Sequence, residues 1–547
     1  MSLIHYKQSV AERDPATQPI PVVAQRPPAG PPNPPGPPAQ RAAQAPGPLL
    51  GDRLGQFAML VVAGVVVLSV VRSLLPMEQL AYIWRPADTA TIAHNFFVGG
   101  MNLFYPQINW GGAGPGYVEM ELPLLPWLAA ALYFVVGEHA WVGRLVALAF
   151  MVASIAAFWG LARRVLPANA ARWSLIAFAV APVVMTYGNA YGPDTVVLAF
   201  YVLTLLFFQR WLTEDRTVWL VAAAAAASAA ALAKPTSLHV FLILLIWLLI
   251  AARDRLRRPS LYIAGVLALI PPALWLLHGR NLFLEYGNTF GVASGGDSKF
   301  GTIEIWTSAG FWTGNASFES TLIYGIVGVP LALLGAWLAW RARGPVVLAA
   351  GLPALFVFYV AVGRYSAEFG PQYHIFSLPF AAIMVALGVV GVDAWLRGRV
   401  GRPVRLTLAV VLTALLFAMS ANVFRVAFQD QSSSAVACAA QLTSVTAPTD
   451  LVVIASDENA YINGTPNNFE DPQIFYLAGR KGWALGADQT LPSFLEEYTR
   501  DGARYFVVNN PDLVPAGSPL ATWLDGNAKQ VGPTAGATEG CSIWALR

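Results

Sequence analysis

A carboxylate, Asp88, sits in the stretch WRPADTATIAHNF, shortly after the first long apolar run of the chain ends. Further along, Glu119, Glu121 and Asp194, and the cations Lys234, Arg280, Arg364 and His374, also fall where apolar runs begin or end. A positioned carboxylate can take a proton from a hydroxyl, and positioned cations can stabilise a developing anion. Each of these residues also has a plainer use. Asp88 could be an interfacial carboxylate or a helix N-cap. Glu119 or Glu121 could complement the N-terminal dipole of the apolar helix that follows. Pro193 and Asp194 make a helix start, and Lys234 could lay its stem along the membrane interface. Arg280 and Arg364 could pair with acids such as Glu285 and Glu368, and His374 suits a hydrogen-bonded interface position. No single residue is diagnostic, so the question is whether the chain gathers them on one side.

Composition sets the class of protein that must position them. Of 547 residues, 56% are hydrophobic and 12% charged, against about 25% charged in soluble domains. That is the composition of an integral membrane protein. A net charge of +3 is too small to indicate nucleic acid, and no Walker loop, dinucleotide fingerprint or zinc-ligand spacing occurs. Residues 1–52 form a separate segment. Thirteen of the chain's 40 prolines fall within its first fifty residues, which lack the apolar core of a signal peptide. This composition predicts a disordered, extended tail.

Apolar stretches long enough for about 30 Å of hydrocarbon lie near 57–75, 140–162, 174–190, 193–212, 217–233, 236–252, 260–277, 322–340, 345–363, 374–396 and 404–424. A further stretch, ELPLLPWLAAALYFVVG at 121–137, is short and holds two prolines. If it does not cross, the segments ARRVLPANAAR, RWLTEDR, RDRLRR, RARG and RGRVGRPVR all face one side. By the positive-inside rule that side is the cytoplasm. The pattern predicts about eleven spans over residues 53–424, with 121–137 lying in the outer interface. The N-terminus is then cytoplasmic. The loop 76–139, Asp88, Glu119, Glu121, Asp194, Lys234, Arg280, Arg364 and His374 all face outward. That first loop is rich in Gly, aromatic and amide residues, a composition suited to a sugar-facing surface, and it is far longer than a connector.

Residues 425–547 lose the membrane composition. DLVVIAS and ARYFVVNN read as buried strands, and PSFLEEYTRDG as an amphipathic helix closed by Gly502. Together they predict a small α/β domain, placed outside by the span count. Its Cys438 and Cys541 are the chain's two cysteines. They suit a disulfide in an oxidising compartment, with two buried thiols as the alternative.

The run RPADTATIAHNFFVGGMNLFYPQINWGGAGPGYVEMELPLLPWLAAALYFVVG resembles first-loop sequences of the GT-C glycosyltransferases. More narrowly, it is similar to glycosyltransferase family 39, with the protein mannosyltransferases and the aminoarabinose lipid A transferases. Arg144 in WVGRLVALAF, Asp194 in GNAYGPDTVVLAF and Lys234 in ASAAALAKPTSL extend the likeness across roughly residues 55–275. Thr89 departs from it, since many relatives carry Asp-Glu where this chain has Asp88-Thr89.

The resemblance implies a GT-C-type helical membrane protein of the plasma membrane. Such an enzyme transfers a sugar from a polyprenyl-phosphate-linked donor to an acceptor glycan, lipid or protein on the extracytoplasmic side. It implies that Asp88 is the general base of an inverting displacement, and that Asp194, Glu119 and Glu121 orient acceptor or sugar. Lys234, Arg280, Arg364 and His374 would face the lipid phosphate. Some members use a divalent metal between carboxylates; no ligand spacing here commits the chain to one. The competing class is a transporter or flippase of a lipid-linked or small polar solute. That class places charges along a path through the spans, whereas these spans are almost free of charge.

Overall fold

The computed structural model describes residues 53–77, 84–292, 300–427, 433–462, 464–532 and 541–547, and the Pro-rich segment 1–52 lies outside them. The apolar runs form helices. In chain order these begin with α1 (Arg53–Ser73), α2 (Trp84–Gly99), a short strand β1 (Val118–Glu119), α3 (Leu124–Val136) and α4 (Ala140–Val165). There follow α5 (Ala168–Ala179), α6 (Pro182–Tyr187), α7 (Asp194–Glu214), α8 (Thr217–Ala233), α9 (His239–Ala251), α10 (Pro259–Tyr286) and β2 (Asn288–Thr289). The membrane part closes with α11 (Ile303–Thr307), α12 (Ala309–Phe318), α13 (Gly325–Arg341), α14 (Val346–Val362), α15 (Leu378–Leu396) and α16 (Arg402–Ala427).

Every expected span meets helix, but length does not bear out a count of eleven crossings. Among the described residues six helices are long and apolar enough to cross, and a pair bent by 102° between Ile323 and Gly325 makes a seventh. The shortfall has local causes. The expected span 174–190 is divided at Pro182, which lacks the N–H needed to continue the ladder from α5. Helices α8 and α14 have 17 residues each, or about 26 Å at the usual rise, short of about 30 Å, and α9 has 13.

The segment expected as one long outer loop is structured. Helix α2 occupies residues 84–99 and α3 residues 124–136, a 13-residue apolar helix too short to cross. Between them the chain folds back on itself, with the Ile108 N–H donating to Gly116 O at 2.9 Å. Gly116 has φ +72, and a Cβ there would lie 2.3 Å from Ile108 O, so this return needs glycine.

The C-terminal part is an α/β domain. It runs α17 (Ser433–Val445), β3 (Leu451–Ala455), β4 (Tyr461–Ile462), β5 (Thr465–Pro466), α18 (Gln473–Ala478) and β6 (Lys481–Leu485). It ends α19 (Pro492–Arg500), β7 (Ala503–Val508), α20 (Pro519–Asn527), β8 (Ala528–Gln530) and β9 (Ser542–Leu546). Five strands form one sheet in the order β6-β3-β7-β9-β8, parallel across β6-β3-β7 and antiparallel beyond. The continuous apolar runs LVVIA and YFVV fit the two inner parallel strands, which are covered on both faces. On one face Cys438, Leu442, Ile474 and Phe475 pack against the sheet; on the other, Leu495, Leu520 and Leu524 do.

Cys438 and Cys541 form a disulfide that ties α17 to the start of β9 across 103 residues of sequence. Closing a loop of that length restricts the unfolded chain strongly. The Cys438→Ala plus Cys541→Ser variant is expected to lose roughly 2–5 kcal/mol of domain stability. Thermal unfolding with and without reductant checks this: reductant should lower the wild-type midpoint and leave the variant unchanged.

Candidate functional site

Helix α2 carries Asp88 in its second turn. Residues 88, 92 and 96 fall four apart and so share one face. Ile92 and Phe96 are buried in the same apolar cluster as Trp110, Ile454, Phe475 and Ile543. The face that presents Asp88 therefore packs into the core of the C-terminal domain. Asp88 is 2% exposed, which corrects its reading as an interfacial or capping carboxylate. Trp110 Nε1–H donates to Asp88 Oδ1 at 3.0 Å. Burial pushes the Asp88 carboxyl up to about 7, against the opposing pull of the Arg85 guanidinium and the Trp110 hydrogen bond; the Asp471 and Glu121 charges push the same way as burial.

Arg85 lies one turn before Asp88 and forms an ion pair with Glu121. Its guanidinium also rests 4.4 Å above the Phe290 ring, and Phe290 in turn meets Trp110 edge-on at 5.8 Å. Thr89 Oγ1–H donates to the Arg85 carbonyl at 2.8 Å, so this hydroxyl is turned to its own helix. Glu119 is buried against Thr289, to which it is hydrogen-bonded, while β1 pairs with β2.

A second ion pair closes the group. Helices α7 and α8 form an antiparallel hairpin joined by Asp215 and Arg216, so the start of α7 and the end of α8 lie at the same end. Asp194 opens α7 and Lys234 closes α8, and Lys234 Nζ reaches Asp194 Oδ1 at 2.7 Å. The Lys234 ammonium also lies 4.5 Å from the Tyr373 ring centroid. Gly192 connects the two pairs: a Cβ there would be 3.9 Å from Arg85 Cγ and 3.8 Å from Asp194 Oδ2. Asp88, Arg85, Glu121, Asp194 and Lys234 thus form one cluster of alternating charge, with three buried carboxylates and two half-buried cations.

Of the other expected phosphate-facing residues, two are engaged outside this cluster. His374 is fully buried, with Nδ1 2.8 Å from Glu319 Oε1 and Nε2 2.9 Å from Ser366 O. Tyr359 and Ser377 donate to the same Glu319 carboxylate, so the imidazole is used to hold this bent region together. Arg364 is spent on an exposed pair with Glu368 at 2.7 Å. Arg280 is an exposed residue of α10, beside the Gly279 that contacts Glu119. Among the described residues no three of His, Cys, Asp or Glu are placed to share a metal ion.

Sequence reading passed over Arg85, Trp110 and Tyr373. Arg85 had one available signal, its position three residues before Asp88, which brings the two together only if the stretch is helical. Trp110 had none, because its approach to Asp88 depends on the return at Gly116.

Residues 120–278 match the family model described as dolichyl-phosphate-mannose-protein mannosyltransferase. No curated protein sequence matches the chain. Among solved structures the chain is similar to ArnT from Cupriavidus metallidurans in the apo state, at TM-score 0.61 and 16% identity. The same enzyme bound to undecaprenyl phosphate aligns at 0.59. Both comparisons cover 90% of this chain and 98% of the other. AglB from Archaeoglobus fulgidus, an oligosaccharyltransferase in complex with an inhibitory peptide and a dolichol-phosphate, aligns at 0.54 and 11% identity, over 90% of this chain and 74% of that one. The chain is a multi-pass membrane protein of the GT-C fold, with a segment similar to the protein mannosyltransferases.

Breaking a buried ion pair leaves one charge without its partner, at a cost of up to about 3–5 kcal/mol. Asp194→Asn alone should therefore lower the thermal midpoint in detergent more than Asp194→Asn combined with Lys234→Met. Simple addition of the two single effects would show that the pair is not energetically coupled.

Proposed function

We propose that the protein transfers a sugar from a polyprenyl-phosphate-linked donor to an acceptor hydroxyl on the extracytoplasmic side, with Asp88 as general base. The observation that carries this reading is the buried Asp88 carboxyl, pushed to about 7 beside a cluster of opposed charges at one end of a helical bundle. A base is most effective when its pKa lies near the working pH. Two further findings support it: the mannosyltransferase-like segment contains Glu121, Asp194 and Lys234, and two enzymes of similar fold are solved with undecaprenyl phosphate and with dolichol-phosphate.

The acceptor oxygen attacks the anomeric carbon while the bond from that carbon to the phosphate oxygen breaks. The acceptor proton passes to Asp88, the polyprenyl phosphate leaves, and the anomeric configuration inverts. Negative charge grows on the departing phosphate, and Lys234 and Arg85, the two cations of the cluster, can stabilise it. Both are already held by carboxylates, so they are fixed in place before the donor arrives. Asp194, Glu121 and Glu119 then serve to orient hydroxyls and the two cations.

The base assignment predicts a single acidic limb. Below about pH 7 Asp88 is protonated and cannot accept a proton, so kcat/KM should fall about tenfold per pH unit and level off above pH 7. Purified protein supplied with labelled undecaprenyl-phosphate sugars and a membrane extract as acceptor provides the assay. Asp88→Asn should cost about 10²–10⁴-fold in turnover while the protein still folds and binds donor. Equal turnover by both proteins would remove Asp88 from the reaction.

Trp110→Phe separates tuning from catalysis. It removes a hydrogen bond that favours the charged carboxylate and keeps a ring in the same place. The acidic limb should move to higher pH with the plateau rate largely retained. An unmoved limb would mean that the titrating group is not Asp88.

A further inference from the structure

The end of the bundle remote from Asp88 contains a second feature, which does not depend on the transfer reaction proposed above. Helix α7 begins in the candidate site at Asp194. Fifteen or more residues later, Gln209, Leu212 and Thr213 line a cavity of about 730 Å³. At the usual helical rise this places the cavity about 25 Å from the charge cluster. Its walls are otherwise mostly apolar, formed by residues such as Trp247 of α9, Leu338 of α13 and Val390 of α15. The volume lies within the roughly 300–1,000 Å³ of pockets that enclose small molecules.

The rim has a strong charge sign. The segments 163–172, 210–216, 253–258, 341–343 and 393–405 together hold fifteen arginines, no lysine and four carboxylates. Three of the carboxylates are already engaged: Glu214 with Arg210, Asp215 with Arg255 and Arg258, and Asp393 with Arg397 and Arg405. Arg253, Arg341 and Arg343 are exposed, adjoin the lining residues Ala252, Ala342 and Gly344, and make no ion pair among the described residues. An apolar cavity whose rim carries three guanidiniums outside any ion pair is complementary to a molecule with a hydrocarbon chain and an anionic head.

We infer that this cavity is a binding site for an anionic phospholipid of the adjoining leaflet. One acyl chain enters between α7, α9, α13 and α15, and the phosphate is held at Arg253, Arg341 and Arg343. A zwitterionic lipid fills the cavity equally well but brings its own cation to a rim that already has an excess. Basic pockets between transmembrane helices select anionic headgroups on this ground.

Native mass spectrometry of the delipidated full chain, titrated with dioleoyl phosphatidylglycerol or dioleoyl phosphatidylcholine, tests the assignment. Phosphatidylglycerol adducts should persist severalfold more than phosphatidylcholine adducts. Arg253→Gln and Arg343→Gln should each weaken them about fivefold. Ala342→Trp and Ala394→Trp place bulk at two exposed lining positions. Each should abolish the persistent adduct while leaving the lipid-free thermal midpoint at the wild-type value; if one variant misfolds, the other provides the test. Equal retention of the two lipids would assign the cavity to bulk lipid and overturn the proposal. Adducts that survive both tryptophan variants would place the lipid elsewhere, with the same result. A dimer peak lost on filling the cavity would assign it to a second copy of the chain.

Discussion

A carboxylate removed from water keeps its charge only if the protein replaces the lost hydration with hydrogen bonds and opposite charge. Asp88 receives a partial replacement. Trp110 supplies one hydrogen bond and Arg85 supplies nearby positive charge, but Arg85 is itself paired with Glu121. Burial outweighs both, and the group titrates near neutrality instead of in the ordinary carboxylate range. Moving Glu121 away would free Arg85 to hold Asp88 as a permanent anion. Removing Arg85 would push Asp88 towards a permanently neutral acid. The balance that suits a base depends on the neighbours being fixed.

The C-terminal domain provides much of that fixing. Asn109 and Gly112 flank Trp110, and both are bonded to Gly482 on the edge strand β6, at 2.9 and 2.7 Å. Ile92 and Phe96 of α2 are buried in the same cluster as the sheet residues Ile454 and Ile543. The hydrogen bond to Asp88 is thus set by a segment clamped between the membrane helices and the α/β domain. A domain that looks separable by composition is part of the structure that positions the candidate base, and the Cys438–Cys541 bridge holds that domain closed.

Sequence patterns revealed the parts of this that depend on local periodicity. Apolar runs located each helix of the membrane part, and two apolar strands around an amphipathic helix indicated the C-terminal α/β domain. Crossing counts were less legible, because Pro182 and the short helices α8, α9 and α14 decide length in ways that hydropathy blurs. Pairings across long separations were not legible at all. Lys234 and His374 look alike as outward cations in a sequence. One meets Asp194 because a helix hairpin returns it there, and the other is consumed by Glu319, 55 residues away in the chain. Thr89, which marks the departure from the Asp-Glu form, bonds to its own helix, and the acid that holds Arg85 comes from Glu121.

The same hairpin gives the bundle its polarity. Asp194 and Lys234 sit at one end of α7 and α8, and the other ends open into arginine-rich connections. Between the two ends Phe158, Phe178, Tyr201 and Phe208 are almost completely buried, and interiors of this kind are close-packed. A polar solute crossing from one end to the other would have to displace that packing, and among the described residues no charged group lies beside these four side chains to meet it. The arrangement suits chemistry performed at one surface on a molecule whose apolar part stays in the membrane, and it offers little to a carrier that must present the same site to both sides.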